Sequence, residues 1–380
     1  MVHLEAASPR RPTIQARGGG GVAFMVGMMD EKRRKIKWFP VISKGVPGGG
    51  LARGAGRGRV GGMEEKTRVV LLGAGDLACP LLRALHGSDR VVLAGVVVQP
   101  DRPGGRGKKL LPCSVKRAAA ELGIVPMESA AVSSPEMVEA IARLEPDVVV
   151  AADFGQFLKR PLLAVPKWGT LNVHPSLLPR YRGASPIQWT LANGDAETGV
   201  CVLFVTPEMD AGDILECWRT PVLPEESAPE LEARLAAKGA ELLLVALEAL
   251  RTGTARPVPQ DPAGVTLARK LRKEDGRIDW SAPSGEIVNR WRGFTPWPGL
   301  YTTVPDGLLL KVHRVRAEEA GVTDTAPGTV LSCDGEGPLV ACGEGGALRL
   351  LEVQPAGKNR MDGAAYCRGR ALRAGERLGG

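Results

Sequence analysis

The chain has 380 residues, more than one ordinary domain needs and comfortable for two, and its 44% hydrophobic content allows a sizeable core. No apolar run reaches the ~18 residues of a membrane span, and the seven cysteines include no C-x-x-C pair, which excludes zinc-ligand spacing and points to a reduced intracellular setting. The formal charge of +8 is uneven: residues 1–62 carry twelve Lys/Arg against three acids, or +9, leaving −1 for 63–380, so charge alone does not make the folded body a nucleic-acid binder.

Residues 1–64 read as a basic Gly/Arg-rich tail without a sustained period, and the stretches at 48–50 and 54–59 are expected to be disordered. Three readings of it stand open. It is an organellar transit peptide, a basic arm that touches RNA, or sequence swept in by a misplaced start with Met63 as the true initiator; the last is preferred.

After Met63 the pattern turns α/β. Thr67–Gly73 is a short apolar run closed by glycine, a buried strand, and residues 77–86 have helical spacing. Further strands are expected at 90–98, 146–152 and 169–173, with helices at 114–122 and 134–144 between them. Strands alternating with helices make a doubly wound, mostly parallel sheet. Runs at 201–206 and 214–221 add a hairpin-like pair, and an amphipathic helix over 228–251 closes a catalytic domain of 65–252. Residues 253–282, rich in Pro, charge and turn signals, read as a linker with one short helix at 267–273. One helix and five short strands separated by Gly/Asp turns then suggest a small β-barrel domain over 283–380.

Gly73-Ala74-Gly75-Asp76-Leu77-Ala78 follows the first strand and fits the G-x-G-x-x-G/A spacing of a dinucleotide site. Such a site also needs an acid at the tip of the second strand, where this chain has Val98-Gln99-Pro100. A tight strand-to-helix turn with close packing is the preferred reading.

Four histidines occur, and His174 stands apart from the others. It lies just past a buried strand, where open α/β sheets place their ligands. Asn172 is two residues before it, so the period-2 alternation of a strand points both side chains to one side. A lone histidine is more often structural than catalytic; an Asn-x-His pair at a strand exit, followed by a Pro-bounded turn, is a stronger signal. Asp210, in the Gly-containing turn Met209-Asp210-Ala211-Gly212-Asp213, supplies a carboxylate that near His174 would fix its tautomer and stabilise an imidazolium.

The run N-V-H-P-S-L-L-P-x-x-R-G, followed 36 residues after the histidine by M-D-A-G-D, resembles the folate-dependent formyltransferase family over nearly all of residues 67–370. The resemblance implies a Rossmann-like catalytic domain with an OB-like C-terminal barrel, in a cytoplasmic, monomeric enzyme that needs no metal and no membrane, or in an organellar matrix enzyme if the tail is a transit peptide. It matches Asn172, His174 and Asp210 to the catalytic trio. Ser176, Leu177, Leu178 and Pro179 match the tetrahydrofolate-binding segment, and Phe154, Gly155 and Gln156 would wall the pterin slot. The first turn departs from the family's G-T-P-x-F-A, and the acidic turn departs from L-D-T-G-D.

Two regions bear on the acceptor of the formyl group. The loop 99–112 carries Arg102, Arg106, Lys108 and Lys109 against Asp101 alone, and phosphate-rich RNA suits such a basic, Gly/Pro-rich segment. It resembles the family's insertion that enters the acceptor arm of initiator tRNA. The segments R-G-F-x-P-W-P-G at 292–299 and Q-P-A-G-K at 354–358 resemble the barrel domain of the tRNA-directed branch, with Phe294 and Trp297 read as core. That branch moves the formyl group of 10-formyltetrahydrofolate to the amine of initiator methionyl-tRNA. The alternative is the same chemistry on a nucleotide-linked amino sugar; an NAD-dependent oxidoreductase and a pure RNA-binding protein rank below it.

Overall fold

In the computed structural model the described residues are 66–104, 109–319, 321, 324–369 and 372–379, together with two strands at 23–30 and 35–42. The chain divides into two units, Met1–Met63 and Glu64–Gly380. In the first, Ala23–Asp30 pairs antiparallel with Lys35–Ile42, a hairpin that the sequence reading did not single out. Its two apolar runs flank the charged D-E-K-R-R-K stretch of the sequence. The glycine-rich stretches at 48–50 and 54–59 lie outside the described residues.

The second unit is built on a seven-stranded sheet. Its strands in chain order are β1 (Thr67–Gly73), β2 (Val91–Val98), β3 (Met127–Glu128), β4 (Val148–Ala152), β5 (Thr170–His174), β6 (Glu197–Phe204) and β7 (Ile214–Pro221). They lie in the order β7-β6-β5-β4-β1-β2-β3. β1 to β5 are mutually parallel, and β6 and β7 add antiparallel pairings at one edge. The apolar runs of β1 and β4 are buried on both faces because helices cover both faces. One face packs against α1 (Ala78–Gly87), α2 (Ser114–Glu121) and the long α5 (Ala228–Thr252) through Leu81, Leu85, Val115, Leu235 and Leu243. The other packs against α3 (Pro135–Ala142) through Ile141 and against Phe154, Leu158 and Leu162.

Local sequence explains the ends of these elements. Ser227 and Glu230 close a capping box at the start of α5, and Gly253 ends it in a left-handed conformation at φ 69°. Within α5, Gly239 lets the helix lie against the sheet, since a Cβ there would sit 2.8 Å from Val173 Cγ1.

The chain steps outward from β1 to β3 and then returns to place β4 on the other side of β1. That reversal opens a crevice at the carboxyl ends of β1 and β4.

Residues 253–282 differ from the expected linker. Instead of a helix at 267–273, Leu267–Ala268 runs parallel to Arg182–Gly183, and Lys273–Gly276 forms a 3-10 turn. Backbone pairing with the 182–185 loop takes the polar groups a helix would have used, and Asp275 accepts from the Arg272 N–H to hold the turn.

The C-terminal half starts with α6 (Ser284–Phe294) and an antiparallel sheet: β8 (Leu300–Thr303), β9 (Leu309–Glu319), β10 (Val330–Asp334), β11 (Gly337–Ala341) and β12 (Gly346–Pro355). Their order is β8-β9-β12-β11-β10, and Met361–Asp362 pairs with β12 ahead of α7 (Gly363–Arg368). Phe294 is fully buried with Trp280, Leu310, Val340 and Leu348. Trp297, read as core from sequence, is 53% exposed, carried outward on a proline-flanked turn. Cys333 and Cys367 form a disulfide across a Cα separation of 5.3 Å, and Cys201 and Cys217 form another between β6 and β7. Neither pair has a spacing that a sequence scan would flag.

Among the described residues, no helix is long and apolar enough to cross a membrane, and no group of three or more His, Cys, Asp or Glu is placed to hold a metal ion.

Candidate active site

Next to this crevice, and sharing Asp153, Phe154 and Gly155 with it, a pocket of about 510 Å³ lies at the carboxyl ends of β4 and β5. Its volume and mostly apolar lining suit an organic ligand. Asn172 and His174 reach it from β5, and Asp210 reaches it from the turn that joins β6 to β7.

These three side chains converge. Asp210 Oδ1 accepts a hydrogen bond from Asn172 Nδ2 at 3.1 Å, and Asp210 Oδ2 accepts one from the Gly183 N–H at 2.9 Å. Because a carboxylate only accepts, the amide nitrogen of Asn172 is the atom that faces it, which leaves the second N–H of that amide for a ligand. His174 is 4% exposed, with Nε2 2.9 Å from the Tyr181 carbonyl oxygen and Nδ1 3.6 Å from Asp210 Oδ2. A carbonyl accepts only, so Nε2 carries the proton and Nδ1 is the nitrogen that gains or loses one. The expectation that Asp210 fixes the tautomer is therefore corrected: the Tyr181 carbonyl fixes it, and Asp210 Oδ2, 3.6 Å from Nδ1, stands beyond hydrogen-bond distance.

Asp210 itself has a left-handed backbone at φ 51°. Beyond it, a Cβ on Gly212 would sit 1.8 Å from the Phe204 carbonyl oxygen, so the turn after Asp210 admits only glycine at that position.

Three carboxylates gather at the first turn. Asp153 packs its carboxyl on Gly75, where a Cβ would lie 1.5 Å from Asp153 Oδ2, and its carbonyl accepts from the Ala74 and Gly75 N–H groups at 3.2 Å each. Those are the N–H groups a pyrophosphate would need, and a carboxylate stands beside them. The dinucleotide reading of Gly73–Ala78 is thereby excluded on physical grounds. Desolvation first and the charge of Asp76 second hold Asp153 above the ordinary carboxylate range. Glu232, on α5 and in the pocket wall, is pushed up to about 7, by burial first and then by Asp153 and Asp76.

The remaining expected site residues fall into three groups. Phe154, Gly155 and Gln156 line the pocket. Gln156 is anchored by its amide: its Oε1 accepts from the Val132 N–H and its Nε2 donates to the Ser129 carbonyl. Ser176, Leu177, Leu178 and Pro179 stand behind the wall instead. The Ser176 hydroxyl donates to the Arg180 carbonyl at 2.7 Å, Leu178 packs with Cys201 and Leu203, and Leu177 lies over Gly199.

Of the basic loop, Arg102 is exposed and its guanidinium donates to Gln99 Oε1. Lys109 lies on a short strand, Lys109–Leu111, paired with Arg102–Gly104. Arg106, Lys108 and the side chain of Lys109 lie outside the described residues. The neighbouring Lys116 is committed to Asp101 at 2.7 Å and Glu128 at 2.6 Å. Arg269, in the charged run 269–277 within the linker, is bonded to Asp275 and lies 4.8 Å over the Trp189 ring.

Sequence reasoning missed Tyr181, Gly183 and Gln260, whose contribution comes through backbone atoms or an amide. Only glycine fits at 183, where φ is 124° and a Cβ would lie 2.6 Å from the Ala268 carbonyl oxygen. The R-G that ends the histidine motif was the available signal for that position. Gln260 sits in a Pro-rich linker and gave none.

Residues 67–247 match the family model described as formyl transferase, and residues 270–371 match that of the formyl transferase C-terminal domain. The chain is 44% identical over 312 residues to the methionyl-tRNA formyltransferase of Citrifermentans bemidjiense, covering 82% of this chain and 96% of that one. It is 41% identical to the enzyme of the same name from Myxococcus xanthus, over 82% of this chain and 97% of the relative. Among solved structures, HypX from Aquifex aeolicus in complex with tetrahydrofolic acid superposes with a TM-score of 0.53 at 18% identity over 82% of this chain; the chain spans about half the length of that protein, 48%. The N-formyltransferase from Helicobacter canadensis, in complex with folinic acid and dTDP-3-aminofucose, superposes with a TM-score of 0.54 at 15% identity, over 76% of this chain and 99% of that one. At such identities these structures speak for the fold alone.

Proposed function

The chain belongs to the methionyl-tRNA formyltransferase family and is a formyltransferase, and on that premise we propose that it transfers the formyl group of 10-formyltetrahydrofolate to the free amine of methionyl-tRNA for translation initiation. The observation that carries this reading is the convergence of Asn172, His174 and Asp210 on one pocket, in a chain that also matches the family's C-terminal domain over residues 270–371.

10-Formyltetrahydrofolate enters as a substrate, with the pocket between Phe154–Gln156 and the trio as its place; the volume of about 510 Å³ and the apolar lining fit a pterin with its linker ring. Ser176 to Pro179 serve that site from behind, by holding the exit of His174. The methionyl amine attacks the formyl carbon, and the carbonyl oxygen takes up the negative charge. The free N–H of Asn172 and the protonated Nδ1 of His174 are the donors for that oxyanion, each worth roughly 3–4 kcal/mol in comparable sites. Asp210 stabilises the imidazolium across 3.6 Å. Through water, Asp210 takes the proton that the amine loses, and that proton passes to the departing N10 as the carbon–nitrogen bond breaks. No metal and no covalent enzyme intermediate enter this scheme.

In this reading residues 65–252 perform the chemistry, 283–380 hold the tRNA, 253–282 join them, and 1–64 take no part. Arg102, Arg106, Lys108 and Lys109 meet the acceptor arm. The enzyme acts as a monomer in the bacterial-type cytoplasm. The test is an acceptor assay with 10-formyltetrahydrofolate and either charged initiator tRNA or a nucleotide-linked amino sugar. Formylation of the tRNA alone is expected; formylation of the sugar alone would overturn the assignment.

A further inference from the structure

The segment that leaves α5 does more than connect two halves. Val258 exchanges two backbone hydrogen bonds with Ile214, each 2.8 Å, just after the Asp210 turn. Thr266 Oγ1 accepts from the Tyr181 N–H at 2.8 Å, and its carbonyl accepts from the Arg182 N–H at 2.9 Å. Between them, Gln260 Nε2 donates to the carbonyls of both Asp210 and Gly212, at 2.8 Å each. Gln260 Oε1 in turn accepts from Arg182 Nε at 3.0 Å and Nη2 at 2.9 Å, and Arg182 is 8% exposed.

This strap grips both supports of the trio at once. One is the 181–183 loop, whose carbonyl orients His174 and whose N–H binds Asp210; the other is the turn that carries Asp210. We infer that Gln260 is a positioning residue for formyl transfer: its amide ties the backbone of the Asp210 turn to Arg182 and so sets the carboxylate of Asp210 opposite His174 Nδ1.

The physical argument is one of donor count. The turn leaves two carbonyls, those of Asp210 and Gly212, pointing the same way, and only a group with two N–H donors satisfies both. Glutamine supplies both donors from one nitrogen while its oxygen is held by a buried guanidinium. Displacement of a catalytic group by about 1 Å costs on the order of 10²-fold in rate, and loss of these donors frees the turn by such a distance.

The inference rests on Asp210 being a member of the reacting trio. Its test is a double-mutant cycle, with kcat and KM measured on charged initiator tRNA and 10-formyltetrahydrofolate. Gln260→Ala is expected to lower kcat about 10- to 100-fold with KM for both substrates changed less than about twofold. Gln260→Glu keeps the shape and the Arg182 contact but turns an acceptor toward two carbonyls; it is expected to lower kcat to the same extent, with a single cooperative melt and an unchanged circular-dichroism spectrum showing that the fold is kept. In an Asp210→Ala background, Gln260→Ala is expected to cost less than about twofold more, because the group it positions is gone. A wild-type kcat for Gln260→Ala alongside an inactive Asp210→Ala would overturn the inference and leave the trio intact. An equal cost in both backgrounds would also overturn it, by making Gln260 a fold-stabilising residue only. A near-normal Asp210→Ala enzyme would remove the trio itself and this inference with it.

Discussion

The Tyr181 carbonyl oxygen stands 2.9 Å from His174 Nε2, and this one contact decides which nitrogen of the imidazole is chemically free. Tyr181 has a left-handed backbone, φ 61°, in a loop whose next residues pair with the 267–268 strand. The loop therefore has two roles, orienting His174 with a carbonyl and holding Asp210 with the Gly183 N–H. A tautomer fixed by a backbone carbonyl does not draw on the side chain of residue 181, and in the proposed mechanism it leaves the acidic partner to act as a counter-charge.

From that division of labour, His174→Ala and Asp210→Ala should each lower kcat by at least ~10² with folate affinity within about threefold of wild type. Asp210→Asn keeps the shape but only one of the two acceptor oxygens that Asn172 and Gly183 use, and no charge to set against the imidazolium, and should be nearly as slow. Steady-state kinetics with a direct folate-binding titration reads both quantities. Near-normal turnover in either alanine variant would remove that residue from the mechanism.

Deletion of residues 1–62 should leave formylation of charged initiator tRNA within about twofold of the full chain. Both family matches fall within residues 67–371, and the catalytic sheet is made wholly from later residues. The check is a side-by-side kcat/KM measurement on the two proteins; loss of activity would assign the tail a part in the reaction.

The sequence made the central sheet legible because β1 and β4 are short, largely apolar runs, and because Asn172 and His174 obey the two-residue period of a strand. Asp210 was legible only through the company of the histidine motif, since an Asp in a glycine turn is commonplace. What remained hidden works through groups every residue has. The Tyr181 carbonyl and the Gly183 N–H carry no side-chain signature. The strap at 258–268 hid for a related reason: Pro and charge read as linker, yet its polar groups are spent on the catalytic domain. Trp297 misled in the opposite direction, because a large aromatic residue reads as core wherever it stands, and this one is 53% exposed.

Glu232→Gln should stabilise the protein at alkaline pH. Burial and two neighbouring carboxylates raise Glu232 to about 7 from an ordinary 4.5. A raised folded-state pKa means the folded chain holds a proton the unfolded chain has released, so stability falls as pH rises from about 4.5 to about 7 and stays lowered above it. Residual solvent at this partly buried carboxylate limits the penalty to on the order of 1 kcal/mol, or roughly 2–4 °C in melting temperature for a domain of this size. Melts of wild type and variant at pH 8 should show that gap, and melts near pH 4.5 should show it closing; a constant offset would mean the charge is not the cause.

The last prediction turns on the basic residues of the 99–116 region. Lys116 is held between Asp101 and Glu128, 2.7 and 2.6 Å away, and its charge is spent inside the protein. Arg106, which falls in sequence between the two short paired strands at 102–104 and 109–111, is one of the four basic residues that the proposed function sets against the acceptor arm. Each phosphate neutralised by such a loop should contribute about 0.7–0.9 to the slope of log affinity against log salt. Arg106→Ala should therefore weaken activity on charged tRNA severely and flatten the salt dependence, with transfer to a small surrogate amine unchanged. Arg106→Lys should rescue only part of it, because a planar guanidinium grips a phosphate with two hydrogen bonds and stacks on an unpaired base, and an ammonium does neither. Lys116→Ala should leave the slope as it is, since no phosphate contact is lost. Formyl transfer by wild type, Arg106→Ala and Lys116→Ala across a salt series separates these cases: a slope altered by Lys116→Ala and untouched by Arg106→Ala would move the tRNA contact off the loop and onto the helix behind it.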